Sequence, residues 1–315
     1  MNRFIKRIIV FIVLPLLTIA ISYEYLARRI PNVYSYKNEW LSKNASSVKI
    51  LNLGSSHGYF GIDPSFFSSS AFNAAHESQD LKYDHFVLTK FLDEMNSLKV
   101  LILPVSYRSF VEPSLENKKE YWRVKYYCIY YKCPYHRCEL LYNSEFYNDL
   151  YFHDLRIVDM IKSTFGEISY INCDSLGKGI RNVYEHRESD WWEESGKIRA
   201  NYHTYAIDTA AIRKNMGYAT EIVRECAQKN IFVLLVTTPT YQTYRDNLNQ
   251  NQLEIMLNCC DYFQSNYDNV CYLNLLADER FSIADYSDAD HLNEIGAKKL
   301  TLILQQAIDS LKLCD

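Results

Sequence analysis

Glycine is scarce in this chain. Only nine Gly occur among 315 residues, where an average protein carries about 7%. Neither G-x-G-x-x-G nor G-x-x-x-x-G-K-[ST] is present, so dinucleotide or NTP binding through glycine-rich phosphate loops is not expected. A basic excess is also lacking: 34 Lys and Arg face 38 Asp and Glu, and the pI is near 6.1. Nothing in that balance attracts nucleic acid, and no nucleic-acid partner is expected. Internal repeats and low-complexity tracts are missing too. With 48% hydrophobic and 23% charged residues, the chain is neither disordered nor fibrous, and its length fits one large domain or two small ones.

Long apolar runs are equally rare, with one exception at the N-terminus. Residues 8–23, IIVFIVLPLLTIAISY, carry no charge and follow Arg3, Lys6 and Arg7, the layout of a membrane-targeting segment. Phe4, Ile5, Tyr25 and Leu26 extend it toward the roughly 20 residues a span needs. The expectation is an uncleaved anchor at residues 1–26 with the bulk of the chain outside the cytoplasm. Two other readings stay open: a signal peptide cleaved at Ala20-Ile21-Ser22, and a helix buried in a soluble core. Arg28, Arg29 and Lys37 on the far flank dilute the positive-inside bias, but the basic group before the first helix usually sets the orientation.

The nine Cys run from Cys128 to Cys314, and an odd number leaves at least one thiol unpaired within a monomer. Cys128, Cys133, His136 and Cys138 are spaced for zinc or for a disulfide, the latter being the favoured use in an exported chain.

After a connector at 27–47, short apolar runs alternate with amphipathic stretches, which predicts an α/β domain with a doubly wound, mostly parallel sheet at 48–312. The strand candidates are 48–53, 71–73, 100–103, 232–236 and 270–275; helical spacing marks 81–95, 210–228, 252–265 and 293–311. Residues 107–207 break the alternation and read as an insertion or cap. That stretch holds nine Tyr between Tyr121 and Tyr151, followed by Trp191-Trp192. Such aromatics could stack on sugar rings or simply pack.

Two motifs point to chemistry. In the first, a strand runs into Gly54-Ser55-Ser56-His57-Gly58. A hydroxyl at such a turn stands beyond the carboxyl end of a parallel strand, where ligands collect, and a following helix aims N–H groups at a developing oxyanion. In the second, Asp288-Ala289-Asp290-His291-Leu292-Asn293 leads into the last helix. Asp288, three residues before His291, can hold Nδ1–H while Nε2 takes a proton from a serine. Asp290 and His291 could also ligate a metal, but no third ligand has suitable spacing. A plain turn at Ser56 and a polar loop capped by Asn293 would account for each motif taken singly. His57, His76 and His85 lie near the first motif in sequence and are expected to be structural, His57 being the exception to watch.

Together the two motifs resemble the SGNH/GDSL hydrolase superfamily, whose nucleophile sits in a Gly-Asp-Ser motif after the first strand and whose Asp-x-x-His precedes the last helix. Ser56 takes the nucleophile's position, Ser55 replaces the usual Asp, and Asp288-x-x-His291 matches unaltered. With the N-terminal anchor, the G-S-S form looks most like the branch containing the D-alanyl lipoteichoic acid transfer protein and bacterial polysaccharide O-acetylation proteins. The resemblance covers about 48–312 without the insertion.

It implies a flavodoxin-like SGNH fold and a catalytic Ser56, His291 and Asp288. It further implies serine esterase or O-acyltransferase activity on acyl esters of cell-envelope or secreted polysaccharide, with no cofactor and with a multispanning membrane acyltransferase as a partner. The alternative is a non-catalytic protein of this fold that binds glycan or assists assembly. The Gly and Asn that usually complete the oxyanion hole are missing, which leaves the backbone of Ser56, the backbone near Ala75, and Ser106 as the candidate donors.

Overall fold

The structure, a computed structural model, describes residues 3–181 and 188–314; residues 1–2 of the expected anchor and 182–187 of the expected insertion lie outside them. The chain divides into two compact units, Met1–Glu39 with Lys119–Asn172 and Trp40–Lys118 with Cys173–Asp315.

The larger unit is built on five parallel strands: β1 (Ile50–Asn52), β2 (Ala71–Asn73), β3 (Val100–Pro104), β4 (Phe232–Thr237) and β5 (Val270–Asn274). They lie in the order β2-β1-β3-β4-β5. The chain leaves β1 toward one edge and continues from β3 toward the other, so the switch point falls between β1 and β3, where ligands gather in sheets of this kind. Each strand matches an apolar run of the sequence, and β1 and β3 are buried throughout, as strands covered on both faces should be.

Helices cover the sheet. Ile50, Ile102 and Leu234 pack with Leu300, Leu304 and Ile308 of the last helix, Glu294–Ser310. Each such buried side chain contributes about 1.5–3 kcal/mol relative to exposure. Helices Leu81–Phe91 and Thr209–Gln228 pack together. The first of these stops short of the expected residue 95 because Asp93 and Glu94 place negative charge at its carbonyl end. A small antiparallel pair, β6 (Tyr286–Asp288) and β7 (His291–Leu292), precedes the last helix.

In the smaller unit the apolar segment is one helix over Arg3–Ala27, with a single wider turn at Ile9–Val13. It is long and apolar enough to cross a membrane, and none of its most apolar stretch is buried; a signal sequence has the same character. The last turns of the helix are built into the unit, where Tyr23 and Ala27 pack with Ile30, Met160 and Phe146. Beneath them Lys125 and Arg156 share the buried carboxylates of Glu145 and Asp149 at 2.7–3.2 Å, and Tyr23 donates its hydroxyl to Asp149.

The connector contains a helix, Val33–Asn44, because Asn32 Oδ1 accepts from the N–H groups of Tyr34 and Ser35 and starts the first turn. The tyrosines divide: Tyr126 stacks on Tyr34 and on Tyr130, and Tyr127 and Tyr131 are fully buried, whereas Tyr135, Tyr147 and Tyr151 are exposed. Among the described residues no disulfide links the cysteines. Cys128 lies buried in helix Val124–Tyr130 and Cys133 is buried just after it, whereas Cys138 is exposed. None of the three joins a metal-binding cluster among the described residues.

Candidate active site

The Gly-Ser-Ser turn follows β1 directly. Gly54 has φ +105°, a conformation open to glycine at little cost. Its N–H is held by the buried Asp84 carboxylate at 2.7 Å, and Gln79 donates to the same oxygen. Burial raises the Asp84 carboxyl to about 7 against the pull of those two donors. Ser56 then opens the short helix Ser56–Gly61, so its N–H has no acceptor within the helix. That helix lies tight against the sheet, since a Cβ on Gly58 would come within 2.7 Å of the Leu53 carbonyl. Asn73, at the end of β2, donates to the Gly58 and Ile62 carbonyls and fixes it from behind.

The second motif is a turn wound around Asp288. Asp288 Oδ1 accepts from the N–H groups of Asp290 and His291, and His291 Nδ1 lies 2.9 Å from the same oxygen. Asn293 caps the last helix, accepting from Ile295 and Gly296. The capping expected of Asn293 and the Asp-His pairing are therefore both present.

The two motifs meet. His291 Nε2 lies 2.8 Å from Ser56 Oγ, across 235 residues of sequence. With Nδ1 facing carboxylate oxygen, the proton belongs on Nδ1, and Nε2 is left to accept from the serine hydroxyl. Ser56 and His291 are 9% and 5% exposed, so little water competes for this bond.

A second carboxylate stands beside the first. Asp290 is completely buried, with one oxygen 3.4 Å from His291 Nδ1 and the other 3.6 Å from His57 Nε2. Arg199 clamps it through Nε and Nη2 at 2.7 and 2.8 Å. Arg181 donates to Asp288 Oδ2 at 2.6 Å and lies over the Phe60 ring. Burial disfavours charge on His291, but the two carboxylates outweigh it and raise the imidazole above its ordinary value. Burial likewise opposes ionisation of Asp288 and Asp290, yet His291 and the flanking donors hold both below the usual carboxylate range.

His57 stacks on His291, with ring centroids 4.9 Å apart. Burial lowers it despite the nearby Asp290, so it stays neutral while its neighbour takes up charge. Donor atoms of His57, Asp290 and His291 lie close enough together to hold a cation, but Arg199 already occupies both oxygens of the Asp290 carboxylate. His85 is occupied with Glu225, and the His76 N–H serves the Gly54 carbonyl.

Two of the oxyanion donors expected from sequence are engaged elsewhere. The Ala75 N–H donates to Asn73 Oδ1 at 3.1 Å, because the Asn73 amide that holds helix Ser56–Gly61 turns its oxygen back onto its own turn. Ser106 is tied to Ser109 through both its N–H and its hydroxyl. Sequence reading also missed Arg181 and Arg199, the latter on helix Ser189–Tyr202, and the supporting role of Asp290. The Asp-x-Asp-His spacing was the one signal for Asp290.

No family model matches the chain, and a search of curated proteins returns no match. Among solved structures it is similar to a candidate acylhydrolase from Bacteroides fragilis, with 11% identity over 86% of this chain and 95% of that one and a TM-score of 0.43. It is also similar to a GDSL-like lipase from Bacteroides thetaiotaomicron, with 9% identity over 88% and 99% and a TM-score of 0.42.

Proposed function

We propose that this protein is a serine ester hydrolase or O-acyltransferase of SGNH type. The observation that carries the reading is the 2.8 Å contact between Ser56 Oγ and His291 Nε2, with Asp288 on the opposite ring nitrogen. As an acyl ester approaches, His291 takes the Ser56 proton and Ser56 Oγ attacks the carbonyl carbon. Asp288 and Asp290 stabilise the resulting imidazolium, and the Ser56 N–H faces the oxyanion. His291 returns the proton to the leaving alcohol, which leaves an acyl-serine. A water or sugar hydroxyl, deprotonated by His291, then takes the acyl group and frees Ser56. The resemblance of the two motifs supports acylated cell-envelope or secreted polysaccharide as the substrate class and a multispanning acyltransferase as partner. The segment Arg3–Ala27 supports attachment to a membrane.

One observation favours a non-catalytic glycan-binding role instead: the N–H groups of Ala75 and Ser106 donate elsewhere, and one missing oxyanion donor can cost about 10²–10³ in rate. Turnover of p-nitrophenyl acetate separates the readings. The enzyme reading expects hydrolysis that is lost in both Ser56→Ala and His291→Ala, and a folded wild type with no activity above the Ser56→Ala background would overturn it. Product analysis with an added sugar acceptor then divides hydrolase from transferase.

A further inference from the structure

We infer that helix Ile157–Thr164 and the segments flanking it turn their apolar face to lipid beside the chain's own anchor. The inference rests on reading Arg3–Ala27 as a retained anchor.

The helix is amphipathic, and it is turned the wrong way for water. Met160 is buried, but Leu155, Ile157, Val158, Ile161 and Phe165 are 48–75% exposed. Scattered apolar residues on a surface are ordinary; five within eleven residues of sequence are a contiguous patch, and such patches mark interaction sites.

What covers the patch follows from its place beside the anchor. A groove of about 320 Å³ runs between the two helices, lined by Ile19, Ser22 and Leu26 on one side and Ile157, Met160 and Ile161 on the other. Within this unit the anchor is continuous with the fold, because Tyr23 and Ala27 are buried against Met160 and Phe146. No flexible linker separates them, so the depth of the anchor fixes the depth of the groove. At about 1.5 Å per residue, Thr18 stands about 17 Å and Leu26 about 29 Å beyond Arg7 along the helix. With Arg7 at one boundary of a hydrocarbon core about 30 Å thick, the groove lies in the far half of the bilayer and ends at its surface. This holds whichever way the helix is inserted. Arg28 and Arg29 follow at headgroup level, as does the exposed Lys162, which can reach outward along its stem. An apolar face turned toward the acyl chains is what such a position requires.

The test uses the full-length protein in phosphatidylcholine vesicles that contain a lipid with a diazirine on its acyl chain. After irradiation, labelled peptides are mapped by mass spectrometry. Adducts are expected both on residues 3–27 and on 155–165, and Val158→Glu with Ile161→Glu should remove the second set while leaving the first. Adducts confined to 3–27 would overturn the inference and leave the anchor reading standing. Adducts on neither segment, or a purified chain that lacks the segment by intact mass, would overturn both. Cross-linking of Lys162 to a second copy, with 155–165 unlabelled, would assign the face to self-association and also overturn the inference.

Discussion

Asp288→Asn removes a charge from the site while keeping its shape. The amide oxygen of the variant side chain can still accept from the N–H groups of Asp290 and His291, which hold the turn, and still face His291 Nδ1 at the present 2.9 Å. The tautomer therefore survives, and what is lost is the carboxylate beside the developing imidazolium. At an effective dielectric constant of 20, unit charges 2.9 Å apart interact by about 6 kcal/mol. Asp290 offers a second carboxylate 3.4 Å away, worth about 5 kcal/mol on the same scale, but Arg199 already neutralises most of it. The expected net loss is about 3–4 kcal/mol, a fall in kcat/KM of about 10²–10³. In p-nitrophenyl acetate hydrolysis the acid limb should also move. Asp288 raises His291 in the wild type, so the variant's base ionises at lower pH and the limb shifts down. A rate within threefold of wild type, or an unmoved limb in an active variant, would refute the assignment of Asp288 as the carboxylate that supports His291.

Two further outcomes follow from buried groups. Asp84 ionises near 7 in the fold against an ordinary 3.8, so the unfolded chain loses its proton first and stability falls as pH rises from about 4 to about 7. The difference of about three units corresponds to about 4 kcal/mol. Asp84→Asn should flatten that slope in urea unfolding at stepped pH, and an unchanged slope would refute burial as the cause. Leu304→Ala, in the fully buried cluster of the last helix, should lower unfolding free energy by about 2–5 kcal/mol; a loss under about 1 kcal/mol would show that this helix does not anchor the sheet.

The elements that could be read from the chain were those with local signatures. The five strands stand out because parallel strands buried on both faces are continuous apolar runs. The Asp288–His291 pair is legible because three residues suffice to bring a carboxylate back to an imidazole. Arg199 and Arg181 were not legible, since they reach Asp290 and Asp288 across 91 and 107 residues, and a string of residues does not show which distant elements meet. Ala75 was misread because its backbone donor is claimed by Asn73, two residues earlier, and a string of residues does not show where an amide side chain turns. The helix Val33–Asn44 was hidden by its mixed polar and aromatic composition, although Asn32 is an ordinary capping residue.

The central claim, a nucleophilic Ser56 activated by His291, is tested most directly by a fluorophosphonate probe on the full-length protein, with the adduct mapped by mass spectrometry. The account predicts one phosphonyl adduct, on Ser56, that is absent in Ser56→Ala and strongly slowed in His291→Ala. A correctly folded wild type that remains unlabelled, or labelling that persists in Ser56→Ala at the wild-type rate, would contradict it.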